Sequence, residues 1–333
     1  MKTLYLECNM GAAGDMLTAA LLDLLPEERR QEFLKVMNAI PGVQMRAEPA
    51  EKCGVRGLHV TVLAHGVEEH SHDVPCGGAD APHLHEHPHD HEHEHGHEHG
   101  HHHASLADVR AIVEGLPVPE TVKAKAMEVY GLIAAAEAHA HGQPVELVHF
   151  HEVGSLDAIA DVVGVSLLME AIAPERVVAS PVRIGFGTVK CAHGILPVPA
   201  PATAALLKGI PVYAGELRGE MCTPTGAALL RHFADSFGNM PLMDVSAIGV
   251  GLGTRDFGAA NCLRAFLGEG GEELPRISEL RCNIDDATPE EIGFAMELLL
   301  EKGALDVFTV PIGMKKKFPT YIDVRGADRC RRG

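Results

Sequence analysis

The stretch from Gly66 to His103 sets the first limit on what this chain can fold into. It carries Glu68, Glu69, Asp73, Asp80, Glu86, Asp90, Glu92, Glu94 and Glu98 with no Lys or Arg, and 14 of the chain's 22 histidines. Those nine acids are half of the formal net charge of −18. An alternating His/Glu tract has nothing apolar to bury and cannot offset its ordering entropy, so residues 66–103 are expected to form a disordered loop. The fold must be built from the segments on either side. At 333 residues and 46% apolar, those segments can fill a real core, which excludes a mini-protein and global disorder. The acidity argues against nucleic acid and anionic membrane as partners, since neither is attracted to a polyanion.

Cysteines stand at 8, 53, 76, 191, 222, 262, 282 and 330, and no two form a C-x-x-C pair. Such scatter reads as reduced thiols rather than a zinc ribbon or a disulfide framework. Met1 to Asn9 contains Glu7 and no long apolar run, and nowhere do 18 uncharged apolar residues follow one another. A cytoplasmic protein is the expectation.

The chain opens as strand, tight turn and helix. Thr3 to Cys8 is strand-like, Gly11 to Met16 supplies the turn, and Leu17, Ala20, Leu21 and Leu24 keep helical spacing up to Pro26. A helix over 27–39 and strands over 43–48 and 57–64 follow. Beyond the insert, Ser105 is placed to cap one helix and Pro119 opens another. A strand over 145–150, a helix over 156–172 capped by Ser155 and a strand-rich section come next, with helices ending at Gly209 and covering 225–237. After a polar linker at 269–275, a strand over 277–284, a helix capped by Thr288 and a strand over 305–311 complete the pattern. The expected class is α/β (α+β). A mixed strand–helix domain spans 1–270, and 277–317 form the first β-α-β of an incomplete ferredoxin-like domain. The tail 318–333 has no repeating apolar face.

The densest cluster of reactive side chains is His149-Phe150-His151-Glu152, followed by Asp157 and Asp161. In an extended strand His149 and His151 point to one side, a two-ligand comb for a borderline metal such as Ni²⁺ or Zn²⁺. Asp157 and Asp161 are i,i+4 on the following helix and share a face, with Asp157 in the first turn where the helix dipole suits a carboxylate. His141 ends the preceding helix and can join them. Cys191-Ala192-His193 repeats the comb with a softer donor. Each pair also has a plainer reading, as a hydrogen-bonded strand end or a buried thiol near a turn. Gly11-x-x-Gly14-Asp15 has the form of an anion-holding turn at a helix N-terminus, without the Walker lysine or the third Rossmann glycine. Gly249 to Asp256, with Arg255 as counter-ion, has the look of a second phosphate cradle. Asn283, Asp285 and Asp286 can hold a hard divalent ion or simply cap a helix. His83, His85, His87, His89, His91, His93, His95, His97, His99 and His101 can recruit metal, but a disordered comb cannot fix a coordination geometry.

Taken together, these residues resemble a known family. Leu4 to Cys8 with Gly11, Gly14, Asp15 and Met16; His141-Gly142; His149 to Gly154 with Asp157 and Asp161; and Val189 to Gly194 with Pro197 to Thr203 are similar to the nickel-pincer cofactor nickel-insertion family. So are Thr223-Pro224-Thr225-Gly226, Gly253 to Asp256 and Asn283 to Asp286. The resemblance covers about Leu4 to Lys316, and a His-rich insert of variable length is a trait of the family. It implies a cyclometallase that inserts Ni²⁺ into pyridinium-3,5-bisthiocarboxylic acid mononucleotide, using CTP with Mn²⁺ or Mg²⁺. The product would be the carbon–nickel cofactor of lactate racemase, whose apoprotein would be the downstream recipient. It also implies a C-terminal domain that binds the nucleotide and makes a homo-oligomer of the full-length protein.

After Lys316 the text departs from the family pattern. From that departure the expectation is a zero-frame or truncated product, with a separately encoded C-terminal half as a candidate partner. On these expectations His141, His149, His151, Cys191 and His193 meet the metal. Asp15, Glu152, Asp157 and Asp161 serve as acid/base groups, and Asp285 and Asp286 sit at the nucleotide. The alternative from another class is a non-catalytic nickel store or metallochaperone that works through the His-rich loop.

Overall fold

Two helices of this chain are apolar on every side, which places them inside the fold rather than on its surface. In α1 (Gly14–Asp23) every residue from Met16 to Leu22 is buried, and in α5 (Leu156–Ile172) buried positions wrap the whole helix. The computed structural model describes residues 1–66, 72–73, 104–150, 152–191, 194–270, 277–284, 286–313, 319–321 and 323–329. Almost all of the expected loop over 66–103 therefore lies outside the described residues. The chain divides into two compact units, Met1–Gly270 and Gly271–Gly333.

In the first unit β1 (Lys2–Glu7) turns into α1, followed by α2 (Glu27–Met37) and the hairpin of β2 (Val43–Lys52) and β3 (Val55–Ala64). β4 (His72–Asp73) and β5 (Ala104–Ser105) are two-residue pairings. Next come α3 (Leu106–Glu114), α4 (Glu120–His141), β6 (His149–Phe150), α5 and β7 (Arg176–Ala179). Short segments follow: β8 (Val182–Arg183), β9 (Gly185–Phe186), β10 (Thr188–Cys191), β11 (Gly194–Pro197), α6 (Pro201–Leu206), β12 (Val212–Tyr213) and β13 (Gly219–Glu220). α7 (Pro224–Phe233), β14 (Ser236–Phe237), β15 (Met243–Leu252) and β16 (Cys262–Gly270) end the unit.

The main sheet has seven strands in the order β14-β7-β1-β16-β15-β3-β2. β14, β7 and β1 run parallel, β16 is antiparallel to both β1 and β15, and β15 runs parallel to β3. α1 lies on β15 and β3 and packs on α5, while α4 packs on α5, α6 and α7.

Glycines let α1 approach the sheet closely. A methyl on Gly249 would stand 2.0 Å from Ala20 O, and one on Gly251 would stand 2.0 Å from Met16 O. Two strand residues advance about 6.6–6.8 Å and four helical residues about 6 Å, so the i,i+2 glycines keep step with the i,i+4 carbonyls. The stretch expected to cradle a phosphate is in fact strand β15 at Gly249 and Gly251, where the missing side chains let α1 lie against the sheet.

Several local expectations hold. Ser105 Oγ accepts from Asp108 N–H at 3.2 Å while Asp108 accepts from Ser105 N–H at 2.8 Å, and Thr288 and Glu291 repeat the capping box. Others change. Residues 145–147 form a 3₁₀ turn, so the strand expected over 145–150 shrinks to β6, which among the described residues pairs with the two residues of β5. Ser155 holds the N-cap position of α5 as expected, but its hydroxyl donates to the Asp157 carboxylate and does not accept from the helix backbone. The helix expected over 225–237 stops at Phe233, because Ser236 and Phe237 pair in parallel with β7. Thr223 Oγ1 accepts from Gly226 N–H at 3.1 Å at the start of α7. Thr223→Ala is expected to cost about 1 kcal/mol, lowering the melting temperature by about 2–4 °C in a thermal scan.

In the second unit β17 (Ile277–Asn283), α8 (Pro289–Glu301) and β18 (Val307–Phe308) follow one another, then β19 (Pro311–Gly313), β20 (Pro319–Tyr321) and β21 (Asp323–Arg329). The strand expected over 305–311 is limited to residues 307–308, with β19 starting at Pro311. β21 runs antiparallel to both β17 and β18 and lies between them. Residues 318–333, from which no strand was expected, thus supply the middle strand of this sheet. Backbone pairing to two neighbours forms it without an alternating apolar pattern.

Candidate active site

Three helices begin at one cavity of about 240 Å³. α1 contributes Ala13 to Met16, α5 contributes Asp157, Ala158 and Asp161, and α7 contributes Pro224 and Thr225 with its cap Thr223. The α1 and α7 starts are tied together: Ala12 N–H donates to Met221 O and Thr223 N–H donates to Ala12 O, each at 3.0 Å. Gly11, at φ +88°, makes this crossing possible, since a methyl there would stand 1.8 Å from Met221 O. The positive dipole ends of three helix starts make the cavity receptive to anions.

Into this setting the fold places three carboxylates. Asp157 and Asp161 share one face of α5, as their i,i+4 spacing requires, and Asp15 reaches the same cavity from the first turn of α1. Gly14 lets Asp161 approach α1, because a methyl on Gly14 would stand 2.4 Å from Asp161 Oδ2. Asp161 Oδ1 is buried and has no hydrogen-bond partner. Burial, with Asp15 and Asp157 adding repulsion, holds the Asp161 carboxyl well above the usual aspartate range. Burial also raises Asp15, against the opposing pull of the Met16 N–H, His59 and Arg255.

Another part of the lining is tied together by hydrogen bonds. Lys52 Nζ donates to Thr254 O at 3.0 Å and Arg255 O at 2.9 Å, and Asn261 Nδ2 donates to Arg255 O at 3.0 Å. Arg255 Nη1 donates to Glu220 O at 2.8 Å and its Nη2 to Glu220 Oε2 at 3.4 Å. Arg255 was expected beside an anion and does line the cavity. Glu220, buried beside it, gave no signal in the sequence, since it belongs to no motif.

Of the predicted histidines, the described ones, His141 and His149, do not line this cavity. His141 is exposed at the end of α4, 3.5 Å from Glu137 Oε2, and His149 is exposed in β6. β6 ends at Phe150, and the β10 strand ends at Cys191, which pairs with Gly194. His151, His193, Asp285 and the recruiting histidines His83 to His101 lie outside the described residues, as does the Glu152 side chain. Asp286 is exposed ahead of α8. Among the described residues no three His, Cys, Asp or Glu side chains come together as a metal-holding group. The Cys8 thiol, buried under the sheet, is pushed up to about 12, and burial raises Cys222 as well, so neither is a ready thiolate.

Comparisons with known proteins agree with the motif resemblance. The family model described as "Nickel insertion protein" matches residues 4–322. The match extends to residue 322, past Lys316 where the family pattern was expected to end, and the comparisons do not bear out the expected truncated or zero-frame product. A putative nickel insertion protein of Geotalea daltonii is 41% identical over 324 residues, covering 96% of this chain and 75% of the relative. The pyridinium-3,5-bisthiocarboxylic acid mononucleotide nickel insertion protein of Clostridium kluyveri is 41% identical over 327 residues with the same coverage. The protein of that name from Geobacillus kaustophilus is 36% identical over 332 residues. No solved structure matches. With its sequence matched from residue 4 to residue 322, this chain belongs to the nickel insertion protein family.

Proposed function

We propose that this chain inserts nickel into pyridinium-3,5-bisthiocarboxylic acid mononucleotide, and that the cavity at the starts of α1, α5 and α7 is where the reaction happens. The observation that carries this reading is the buried carboxyl of Asp161, with an orphaned oxygen, set beside Asp15 and Asp157 among three helix N-termini. In the substrate the two thiocarboxylates flank ring carbon 4, so nickel held by both sulfurs stands over the C4–H bond. Joining nickel to C4 uses the electron pair of that bond and releases its proton to a base. A carboxylate whose pKa is raised above the usual aspartate range is a stronger base for such a proton than a free one. Asp161 is that group, with Asp15 and Asp157 sustaining its basicity and Glu152 held in reserve. The helix starts suit the anionic sulfur arms, and thiolate-like donors suit a borderline metal.

In this reading His141, His149, His151, Cys191 and His193, with the recruiting histidines, gather nickel and deliver it. CTP with Mn²⁺ or Mg²⁺ belongs with Asp285 and Asp286, and lactate racemase receives the product. The activity is then that of a lyase-type chelatase.

The test supplies the chain with precursor, Ni²⁺, Mn²⁺ and CTP and reads nickel in the isolated mononucleotide by mass spectrometry. A chain lacking residues 68–103 is expected to keep its rate within about threefold at ample Ni²⁺ and to fall behind only when Ni²⁺ is scarce, because a comb without fixed geometry concentrates metal but cannot catalyse. Loss of insertion at ample Ni²⁺ on that deletion, together with an unaffected Asp161→Asn variant, favours the nickel store. Full insertion by a His149→Ala/His193→Ala double variant at scarce Ni²⁺ removes the delivery role.

A further inference from the structure

Arg183 is an arginine without an acid. Its Nε is buried with no hydrogen-bond partner, and its Nη1 finds only the thioether of Met10, at 3.6 Å. Among the described residues no carboxylate pairs with it. A thioether is a weak acceptor, and a buried guanidinium N–H left without a partner is costly to keep. Gly215, at φ +71°, makes room for the group: a methyl there would stand 2.3 Å from Nε and 2.6 Å from Nη2.

The surroundings are polar and open. Tyr213, the register partner of Arg183 across β8 and β12, is 39% exposed, and its hydroxyl lies 3.4 Å from Asn9 O and 3.5 Å from Asn9 Oδ1. Asn9 and Met10 follow β1, and Arg183 follows β7, so the group stands at the carboxyl ends of two parallel neighbours. That edge of an α/β sheet is where ligands bind. The cavity is close along the chain. Met10 is three residues from Ala13 in its wall, a span of at most about 11 Å. Ile184, next to Arg183, accepts from Met221 N–H at 3.2 Å, and Met221 lines the cavity.

We propose that Arg183, with the Tyr213 hydroxyl and Asn9, binds the phosphate of the mononucleotide substrate while its pyridinium ring occupies the cavity. This rests on the proposed function for the identity of the nucleotide. A phosphate monoester supplies what the arginine lacks, a compact anion with oxygens spaced for a guanidinium fork. The ring's sulfur arms are committed to nickel, which leaves the phosphate as the free anionic end.

Binding of two probes without thiocarboxylates tests this apart from nickel chemistry. Calorimetry on the full chain compares nicotinamide mononucleotide with nicotinamide riboside, which differ by the phosphate alone. The native chain is expected to prefer the mononucleotide by at least about tenfold, as a charge-assisted pair contributes about 1.5–3 kcal/mol. Arg183→Gln is expected to bring the ratio to within about twofold of one, and Arg183→Lys to restore part of it. Far-UV circular dichroism and melting temperature check that both variants fold. A native ratio near one, no measurable binding of the mononucleotide, or an Arg183→Gln variant that keeps the native ratio overturns the proposal. A chain that shows the ratio but inserts no nickel keeps the phosphate site and loses the nickel reading. A chain that inserts nickel with an unchanged Arg183→Gln KM loses only the phosphate site.

Discussion

Asp161→Asn is expected to slow nickel insertion by about 10²–10⁴-fold, the range over which a positioned acid–base group contributes to proton transfer. The amide keeps the shape of the side chain, so binding of the mononucleotide should change little and the loss should fall on kcat. The native rate should rise with pH along a limb set by deprotonation of the carboxylate group, and that limb lies above the ordinary aspartate value of 3.8 because burial and the two neighbouring acids raise Asp161. The variant should lack that limb.

Stability should move the other way. A carboxyl whose folded pKa is raised binds more protons folded than unfolded, so native stability falls as pH climbs from the ordinary aspartate value to the raised one. Asp161→Asn has no such proton to lose. Its melting temperature should exceed that of the native chain by a margin that widens with pH across this window and then levels off. Melting curves between pH 4 and 8, set beside single-turnover insertion rates, read both effects. An active variant, or a margin that does not change with pH, removes Asp161 as the proton acceptor.

Gly251→Ala carries the second large effect. Its methyl would meet the backbone of α1, 2.0 Å from Met16 O and 2.6 Å from Ala20 N, and a helix backbone cannot step aside as a side chain can. Overpacking typically costs about 1–3 kcal/mol, and the upper end is expected here. Because α1 also carries Asp15, displacement of the helix should reduce insertion in the fraction that still folds. Gly131→Ala is the control. Gly131 is exposed within α4 with nothing within 4 Å of an added methyl, so the same substitution should stabilise by about 0.5–1 kcal/mol. Urea unfolding of both variants, read at fixed pH, is the measurement. Equal and small effects would mean that α1 does not press on β15.

The helices were largely legible because their information is local. Caps at Ser105 and Thr288, the punctuation of Pro26, and apolar spacing within one turn all act over a few residues. The pairing of Asp157 with Asp161 on one face follows from helical geometry, and the structure has both in the cavity. The short strands were less legible. β6 and β18 are two residues long, and β21 lies between β17 and β18 without an apolar alternation of its own. Nothing local distinguishes such segments from turns, because their hydrogen bonds are made to partners far along the chain.

The candidate site divides along the same line. Sequence determined which residue types were on offer: an Asp in the first turn of α1, two more at helical spacing on α5, an Arg after β15, and a run of alternating glycines. It also determined kinship, through motifs spread from Leu4 to Lys316. Only the tertiary structure decided that Asp15 meets Asp157 and Asp161 while His141 and His149 stay on the surface. It turned Gly249 and Gly251 from an apparent phosphate cradle into the seat of α1, and it left Arg183 without an acid at the carboxyl edge of the sheet. The physical reason is common to all of these. Helix geometry and caps are settled by neighbours in sequence, whereas burial, repulsion between carboxylates and close backbone approach depend on which distant segments the packed core brings together.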